Sequence, residues 1–253
     1  MTSVAVLHPG RMGAAVGAVL VGAGSDVRWL PAGRGAGTRR RAEQAGLTAA
    51  HDLAGCDVVL SICPPAAAVD TARSVAGFGG LYVDANAISP ATAAQVRDVV
   101  ESAGASYVDG GIIGGPPTEP GTRLYLSGTR AGEVAALFEG TVLDARVVEG
   151  DWAASALKMV YAAWTKISAA LVLGIEQTAR RHGVATSLHE EWELSGLDLA
   201  DRLTSAERAG RSKGWRWVDE MRQIAATFDA AGQPDGFGAA AAAVFDRYPR
   251  VEE

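Results

Sequence analysis

The run Ser3-Val4-Ala5-Val6-Leu7 passes directly into His8-Pro9-Gly10-Arg11-Met12-Gly13, and that turn opens onto the helix-compatible Ala14-Ala15-Val16-Gly17-Ala18-Val19-Leu20. A strand, a glycine turn and a helix in immediate succession commit a chain to a layered α/β arrangement, because the helix must fold back over its strand. The alternation continues. Asp26–Leu30, Asp57–Cys63, Leu81–Asp84 and Tyr107–Asp109 read as further strands, with helices predicted at 11–22, 36–45, 66–76 and 90–103. This rhythm predicts a parallel sheet under helical cover.

Near Gly150 the rhythm stops. Of the 31 glycines 23 lie at or before that residue, whereas five of the six tryptophans follow it. Beyond Asp151 only helices are predicted, at 151–182, 187–209, 214–231 and 236–247. The expected fold is therefore α/β: an N-terminal domain built on a parallel sheet, 1–148, and an all-α domain, 149–253. The stretch Trp152–Ile175 is apolar nearly all round and reads as a buried helix. As a membrane span it would carry Lys158 and Lys166, each costing ~2.5–3.5 kcal/mol near a bilayer centre, and no second span follows.

Composition removes several classes. Hydrophobic residues at 48% and charged residues at 21% describe an ordinary folded chain rather than a disordered one. A net charge of −6 offers nucleic acid no global attraction. Cys56 and Cys63 lack ligand-spaced companions, so neither a disulfide framework nor a zinc site is expected. His182 and His189 would stand about 10 Å apart on one helix, too far to share a metal. The N-terminus has no basic leader, and a cytoplasmic protein is expected. No serine-nucleophile elbow or P-loop lysine is present.

The turn has the form G-x-G-x-x-G with His8 in the first glycine position. In a dinucleotide site His8, Pro9, Gly10, Arg11, Met12 and Gly13 would line the pyrophosphate. Gly10 would admit the ligand to the backbone, Gly13 would bring helix and strand together, and the helix N-terminus would face the phosphates. The alternative is a set of glycines that merely shapes a strand-to-helix connection, with His8 a turn residue. At the end of the second strand, Trp29 to Arg41 contain no acid of the kind that binds a ribose diol. Arg34 and Arg39 could contact a 2′-phosphate, and Thr38 could cap the next helix and donate its hydroxyl. Arg40 and Arg41 read as a solvated face. These residues lead us to expect NADP, with NADPH preferred over NADH.

The chain has 20 arginines and three lysines, and the first lysine is Lys158. A lysine on an apolar helix can be shifted towards neutrality and exchange a proton, which arginine cannot. The other reading is a lysine that snorkels or pairs with an acid. On an undistorted helix Tyr161 and Thr165 lie near its face, Tyr161 bonding substrate or packing, while Lys166 lies about 80° away. Trp192, Trp215 and Trp217 could line a cleft or pack.

Together, Val6–Gly13, Asp57–Pro64, Val83–Pro90, Asp109–Gly115 and Gly121–Gly128 resemble the β-hydroxyacid dehydrogenase superfamily. Ala156–Lys166 and Trp215–Met221 are similar to a less characterised phosphogluconate-dehydrogenase-like branch. The resemblance implies a Rossmann domain, a helical second domain, and a homodimer through the C-terminal helices with its active site between domains. It implies that Lys158 is the proton donor or acceptor, that Cys63, Pro64 and Asn86 join the cofactor site, and that Gly114, Gly115, Tyr161 and Thr165 serve a small-molecule substrate. Two positions depart from the well-studied members: Ala162 stands where they carry asparagine, and Ile113 where they carry serine. Backbone donors at Gly114 and Gly115 could still hold an anionic group. Arg123, Arg216 and Arg222 are either substitutes in substrate recognition or surface charges. Three functions follow: an NADP-dependent hydroxy-acid oxidoreductase, an imine reductase, or a silent NADP-binding regulator. With only the shorter helical part left for substrate, a second copy of the chain is expected to complete the pocket.

Overall fold

A computed structural model describes residues 2–249. The chain divides into two compact units, one ending at Lys158 and the other beginning at Met159. By packing, the division therefore comes later than residue 148.

In the first unit the chain runs β1 (Ser3–Val6), α1 (Arg11–Gly22), β2 (Asp26–Trp29), α2 (Ala36–Gln44), β3 (Thr48–Ala49) and β4 (Val58–Ser61). It continues through α3 (Ala68–Arg73), β5 (Leu81–Asp84), α4 (Pro90–Ser102), β6 (Ser106–Ile113), β7 (Thr122–Ser127), α5 (Ala131–Ala136) and β8 (Leu143–Val147). The strands form one sheet in the order β3-β2-β1-β4-β5-β6-β7-β8, antiparallel only where β6 meets β7. Alternation along β1 splits the core. Val4 and Val6 join Val16 and Leu20 of α1 on one side, and Ala5 and Leu7 join Val59, Tyr82 and Val96 on the other. Each such buried aliphatic side chain contributes ~1.5–3 kcal/mol.

Several elements differ from expectation. β6 runs on to Ile113 instead of stopping at Asp109, because Gly110 and Gly111 accept close neighbours: a Cβ on Gly110 would meet the Asp84 carbonyl oxygen at 2.8 Å. β7, α5 and β8 occupy a stretch for which no element was expected. β7 alternates buried Thr122, Leu124 and Leu126 with half-buried Arg123 and Tyr125. The helix expected at 66–76 is a short 3₁₀ turn, Pro65–Ala67, followed by α3.

α6 (Ala153–Ala162) passes through the division, and beyond it a π-helical turn, Ala163–Ile167, leads into α7 (Ser168–Arg181). The extra residue in that turn breaks the even spacing assumed for Lys158 and Lys166. Within the second unit follow α8 (Ala185–Leu194), α9 (Leu199–Lys213), α10 (Trp217–Ala230) and α11 (Gly236–Phe245). The helix expected at 187–209 is two helices. Gly196, at φ +67°, ends α8, with Leu197 N–H donating back to the Trp192 carbonyl at 2.9 Å. Met221, Ile224 and Phe245 are fully buried here, and Trp217 sets its edge against Phe245 at 4.9 Å.

Ala153–Arg181 is long and apolar enough to cross a membrane. Its charges are nevertheless partnered as in a protein core. Lys166 Nζ lies 2.8 Å from Glu220 Oε1, and Glu176, buried, binds Arg180 and, at 2.8 Å, His189.

Candidate active site

The sheet order reverses between β1 and β4, since the chain leaves β1 for β2 on one side and later returns to β4 on the other. Open α/β sheets bind ligands outside the carboxyl ends of the strands at such a point. His8 to Gly13 follow β1 there, and Cys63 and Pro64 follow β4. The two glycines of the turn differ in kind. A Cβ on Gly13 would collide with the His8 carbonyl oxygen, so helix-to-strand contact alone demands glycine. Gly10 has an ordinary φ of −68°, and a Cβ there would meet nothing nearer than the His8 oxygen at 4.0 Å. Nothing in the described chain requires glycine at 10. Gly10 is the N-cap of α1, where no side chain caps the helix and no acid occupies the first turn. Its donors and dipole are left for an anion. Arg11 is exposed, while Met12 packs against the core.

Arg34 sits beside this turn. Burial first, and then the Arg34 charge, depress the His8 imidazole to about 4, so His8 is neutral at physiological pH. The buried His8 Nδ1, Arg34 Nε and Arg41 Nε have no hydrogen-bond partner among the described residues. Arg39 donates to the carbonyls of Pro31 (3.0 Å) and Arg34 (3.2 Å), bracing the loop that carries Arg34. Thr38 does not cap α2, because Gly35 is the N-cap; its hydroxyl instead accepts from Arg41 Nη2 at 3.2 Å. Arg41 is thus half-buried rather than solvated, and Arg40 is exposed.

Across the switch point, Asn86 is buried and its amide is committed. Its Oδ1 accepts from Cys63 N–H at 2.6 Å and its Nδ2 donates to Ser61 Oγ at 3.1 Å. Asn86 therefore shapes the Cys63–Pro64 backbone from beneath. Burial pushes the Cys63 thiol up to about 11. Pro64 is exposed.

Register aligns Ser61, Asp84, Asp109 and Ser127 across β4, β5, β6 and β7, a buried polar row that sequence reasoning missed. Its two carboxylates are unequal. Asp109 Oδ2 accepts from Ser127 Oγ (2.8 Å) and Ser155 N–H (2.9 Å), and Oδ1 accepts from Ser155 Oγ. Asp84 accepts only the Asn86 N–H, at 2.9 Å, and its Oδ2 has no partner among the described residues. Burial, reinforced by the Asp109 charge, raises Asp84 to about 7.

Lys158 belongs to the same unit. α6 lies so close to β6 that a Cβ on Gly111 would stand 2.8 Å from Lys158 Cβ. Gly114 (φ +125°) and Gly115 form an exposed turn after β6, tied by Thr122 Oγ1 donating to the Gly115 carbonyl at 2.6 Å. Ile113, before them, is buried. In the second unit Tyr161 and Thr165 are exposed, and Thr165 Oγ1 donates to the Ala162 carbonyl at 3.2 Å. Arg222 pairs with Asp219 at 2.7 Å, Arg216 lies over Trp215, and Arg123 is in register with Asp144. Trp192 is buried and stacks on His189.

Residues 179–248 match DUF1932, a domain of unknown function. An uncharacterized 28.5 kDa protein in the 7S RNA 5′ region of Methanothermus fervidus is 28% identical over 174 residues, covering 65% of this chain and 66% of that one, just under two thirds of its length. Among solved structures, the conserved protein MTH1747, of unknown function and described as similar to 3-hydroxyacid dehydrogenases, is 25% identical with a TM-score of 0.70, covering 97% of this chain and 96% of its own. Mycobacterium tuberculosis 3-hydroxyisobutyrate dehydrogenase with L-serine shares the fold at 20% identity and a TM-score of 0.72, over 97% and 92% of the two chains. So does an Aspergillus terreus reductive aminase with NADPH and ethyl levulinate, at 17% and 0.60, over 98% and 93%.

Proposed function

We propose that this chain, with the fold of the β-hydroxyacid dehydrogenase superfamily, is a nicotinamide-dependent oxidoreductase acting between a small hydroxy acid and its carbonyl partner, with NADP preferred. The observation that carries this reading is Gly10, a glycine without internal cause at the uncapped N-terminus of α1. Phosphate fits it: the helix donors and Arg34 face the same turn. Arg39 braces the loop that presents Arg34, Thr38 holds Arg41 behind it, and Asn86 supports Cys63 and Pro64. No carboxylate ends β2, so the ribose diol lacks its usual acceptor and a 2′-phosphate meets arginine instead.

When bound, the cofactor supplies the hydride acceptor or donor. Lys158 handles the proton: unprotonated, it takes the hydroxyl proton as hydride leaves the carbinol carbon and the C=O bond forms. In reverse its ammonium gives that proton to the carbonyl oxygen. Gly114 and Gly115 hold an anionic substrate group through backbone donors, with Tyr161 and Thr165 as further substrate contacts. His8, neutral, and Cys63, protonated, bring no charge to the crevice.

A fluorescence titration tests the cofactor assignment. NADPH is expected to bind at least about tenfold more tightly than NADH, as one charge-assisted contact suffices for that ratio; equal affinities would remove the preference. In absorbance assays over hydroxy acids, ketoacids and imines, Lys158→Ala is expected to lose ~10²–10⁴ in turnover while keeping cofactor affinity. Imine reduction is the second reading. Ile113 and Ala162, both buried, bring no polar side chain to the positions where relatives carry serine and asparagine, and imine turnover without alcohol oxidation would select it. Cofactor binding with no turnover across the panel would leave a regulatory protein.

A homodimer through the C-terminal helices completes the proposal. α7 and α11 line a groove of about 930 Å³ whose side chains are mostly apolar, the exposed Leu171 and Phe237 among them, and burying them against a second copy would favour association. Two free cysteines are in keeping with a reducing cytoplasm.

A further inference from the structure

We propose that Asp109 is the positioning residue of Lys158: its buried carboxylate seats the first turn of α6 on β6 and so fixes where the lysine stands. The proposal rests on Lys158 as the acid/base group and adds the device that aims it.

A helix begins with donors that lack intrahelical acceptors. In α6 two of those donors are satisfied by residues far along the chain. Ala154 N–H donates to Ser127 Oγ at 3.1 Å, and Ser155 N–H donates to Asp109 Oδ2 at 2.9 Å. Ser127 Oγ in turn donates to Asp109 Oδ2, and Ser155 Oγ to Asp109 Oδ1. One carboxylate therefore takes a backbone bond, a hydroxyl bond and the hydroxyl that relays the next backbone donor. A negative charge is favourable at this end of a helix, and burial makes it hard to replace by water.

The second anchor lies two residues further along the same face of β6. At Gly111 a Cβ would meet the Ala154 carbonyl at 2.7 Å and Lys158 Cβ at 2.8 Å, so helix and strand touch there without a side chain between them. Ser155 and Lys158 are three apart and share a helix face. Strand spacing of two thus meets helix spacing of three at Asp109–Ser155 and Gly111–Lys158. The turn before α6 is held as well. Trp152 adopts φ +59°, unusual for a bulky residue, its carbonyl accepts Ala156 N–H at 2.9 Å, and its ring lies against Tyr107 (5.9 Å) and under Arg97 (4.8 Å). Advance, rotation and depth of the lysine are all constrained, with Asp109 at the centre.

Three lysines in the chain permit a direct test. The full-length protein is produced with lysine labelled with ¹³C at Cε, and its three signals are assigned by Lys→Arg variants. In Asp109→Asn the amide turns an N–H towards donors, and the Lys158 signal is expected to move or broaden and its titration midpoint to change. The Lys166 and Lys213 signals stay in place, and NADPH affinity holds within about twofold. A folded Asp109→Asn whose Lys158 signal and midpoint match the wild type overturns the proposal. If that variant does not fold, Ser155→Ala, which removes one bond only, must still shift Lys158; an unmoved signal there overturns it equally. Turnover retained by Lys158→Ala would remove the catalytic reading but leave this comparison of signals intact, so the two fail separately.

Discussion

Two helices of the first unit begin at the carboxyl side of the same sheet and are treated in opposite ways. α1 starts at Gly10 with no side-chain cap, no acid in its first turn and open space around the cap residue. α6 starts against a buried carboxylate and a buried hydroxyl brought in from β6 and β7. Equivalent backbone ends have equivalent needs, so the difference is a matter of who satisfies them. An unfilled end is what the proposed phosphate requires, whereas a filled end is a mount for a side chain.

The contrast is broken most strongly by giving α1 what α6 has. In Gly10→Asp the carboxylate caps the helix in space that is already open and repels phosphate. Dinucleotide affinity is expected to fall by about 100-fold or more, while the ligand-free protein melts at the same temperature or slightly higher, since Asp exceeds Gly as a cap by a few tenths of a kcal/mol. Calorimetric titration and thermal melts check both halves, and unchanged affinity would show that the α1 terminus binds nothing.

The two carboxylates of the polar row sharpen the comparison next. Asp84, faced by Asp109, Tyr82, Tyr107 and Cys63, titrates at about 7 instead of 3.8. A raised folded value means that its favourable contribution is complete below pH ~4 and is lost as pH rises to ~7. Asp84→Asn keeps the acceptor for Asn86 N–H and removes the charge. Relative to wild type it should gain stability steadily from pH 4 to pH 7, by a few kcal/mol, and then level off. Chemical denaturation at several pH values measures this, and a pH-independent difference would refute it. The smallest effect concerns α6 itself: Ser127→Ala orphans the Ala154 N–H and should cost ~1–2 kcal/mol in the same assay.

The fold was largely legible because hydrophobic rhythm is local. β1, α1 and β5 could be read from period and turn residues alone, and Gly13 from its place between strand and helix. The candidate site was legible only where its chemistry is local too. The turn at 8–13 and the arginine-bearing loop announce themselves within a few residues. Asp109 does not. It precedes two glycines and looks like the last residue of a short strand, and its partner Ser155 lies 46 residues away. Asn86, within Val83–Pro90, reads as a ligand contact, and only the fold shows its two bonds to β4 and the following turn. Thr38 does not cap α2, because the N-cap is Gly35, three residues earlier, which offers no capping side chain. Long-range satisfaction of polar groups leaves no periodic trace in a sequence.

Cys63 follows β4 at the switch point of the sheet, and burial pushes its thiol up to about 11. Peroxides and electrophiles react with thiolates. A thiol held in this form reacts slowly, so the crevice proposed for the cofactor is expected to resist oxidation at Cys63.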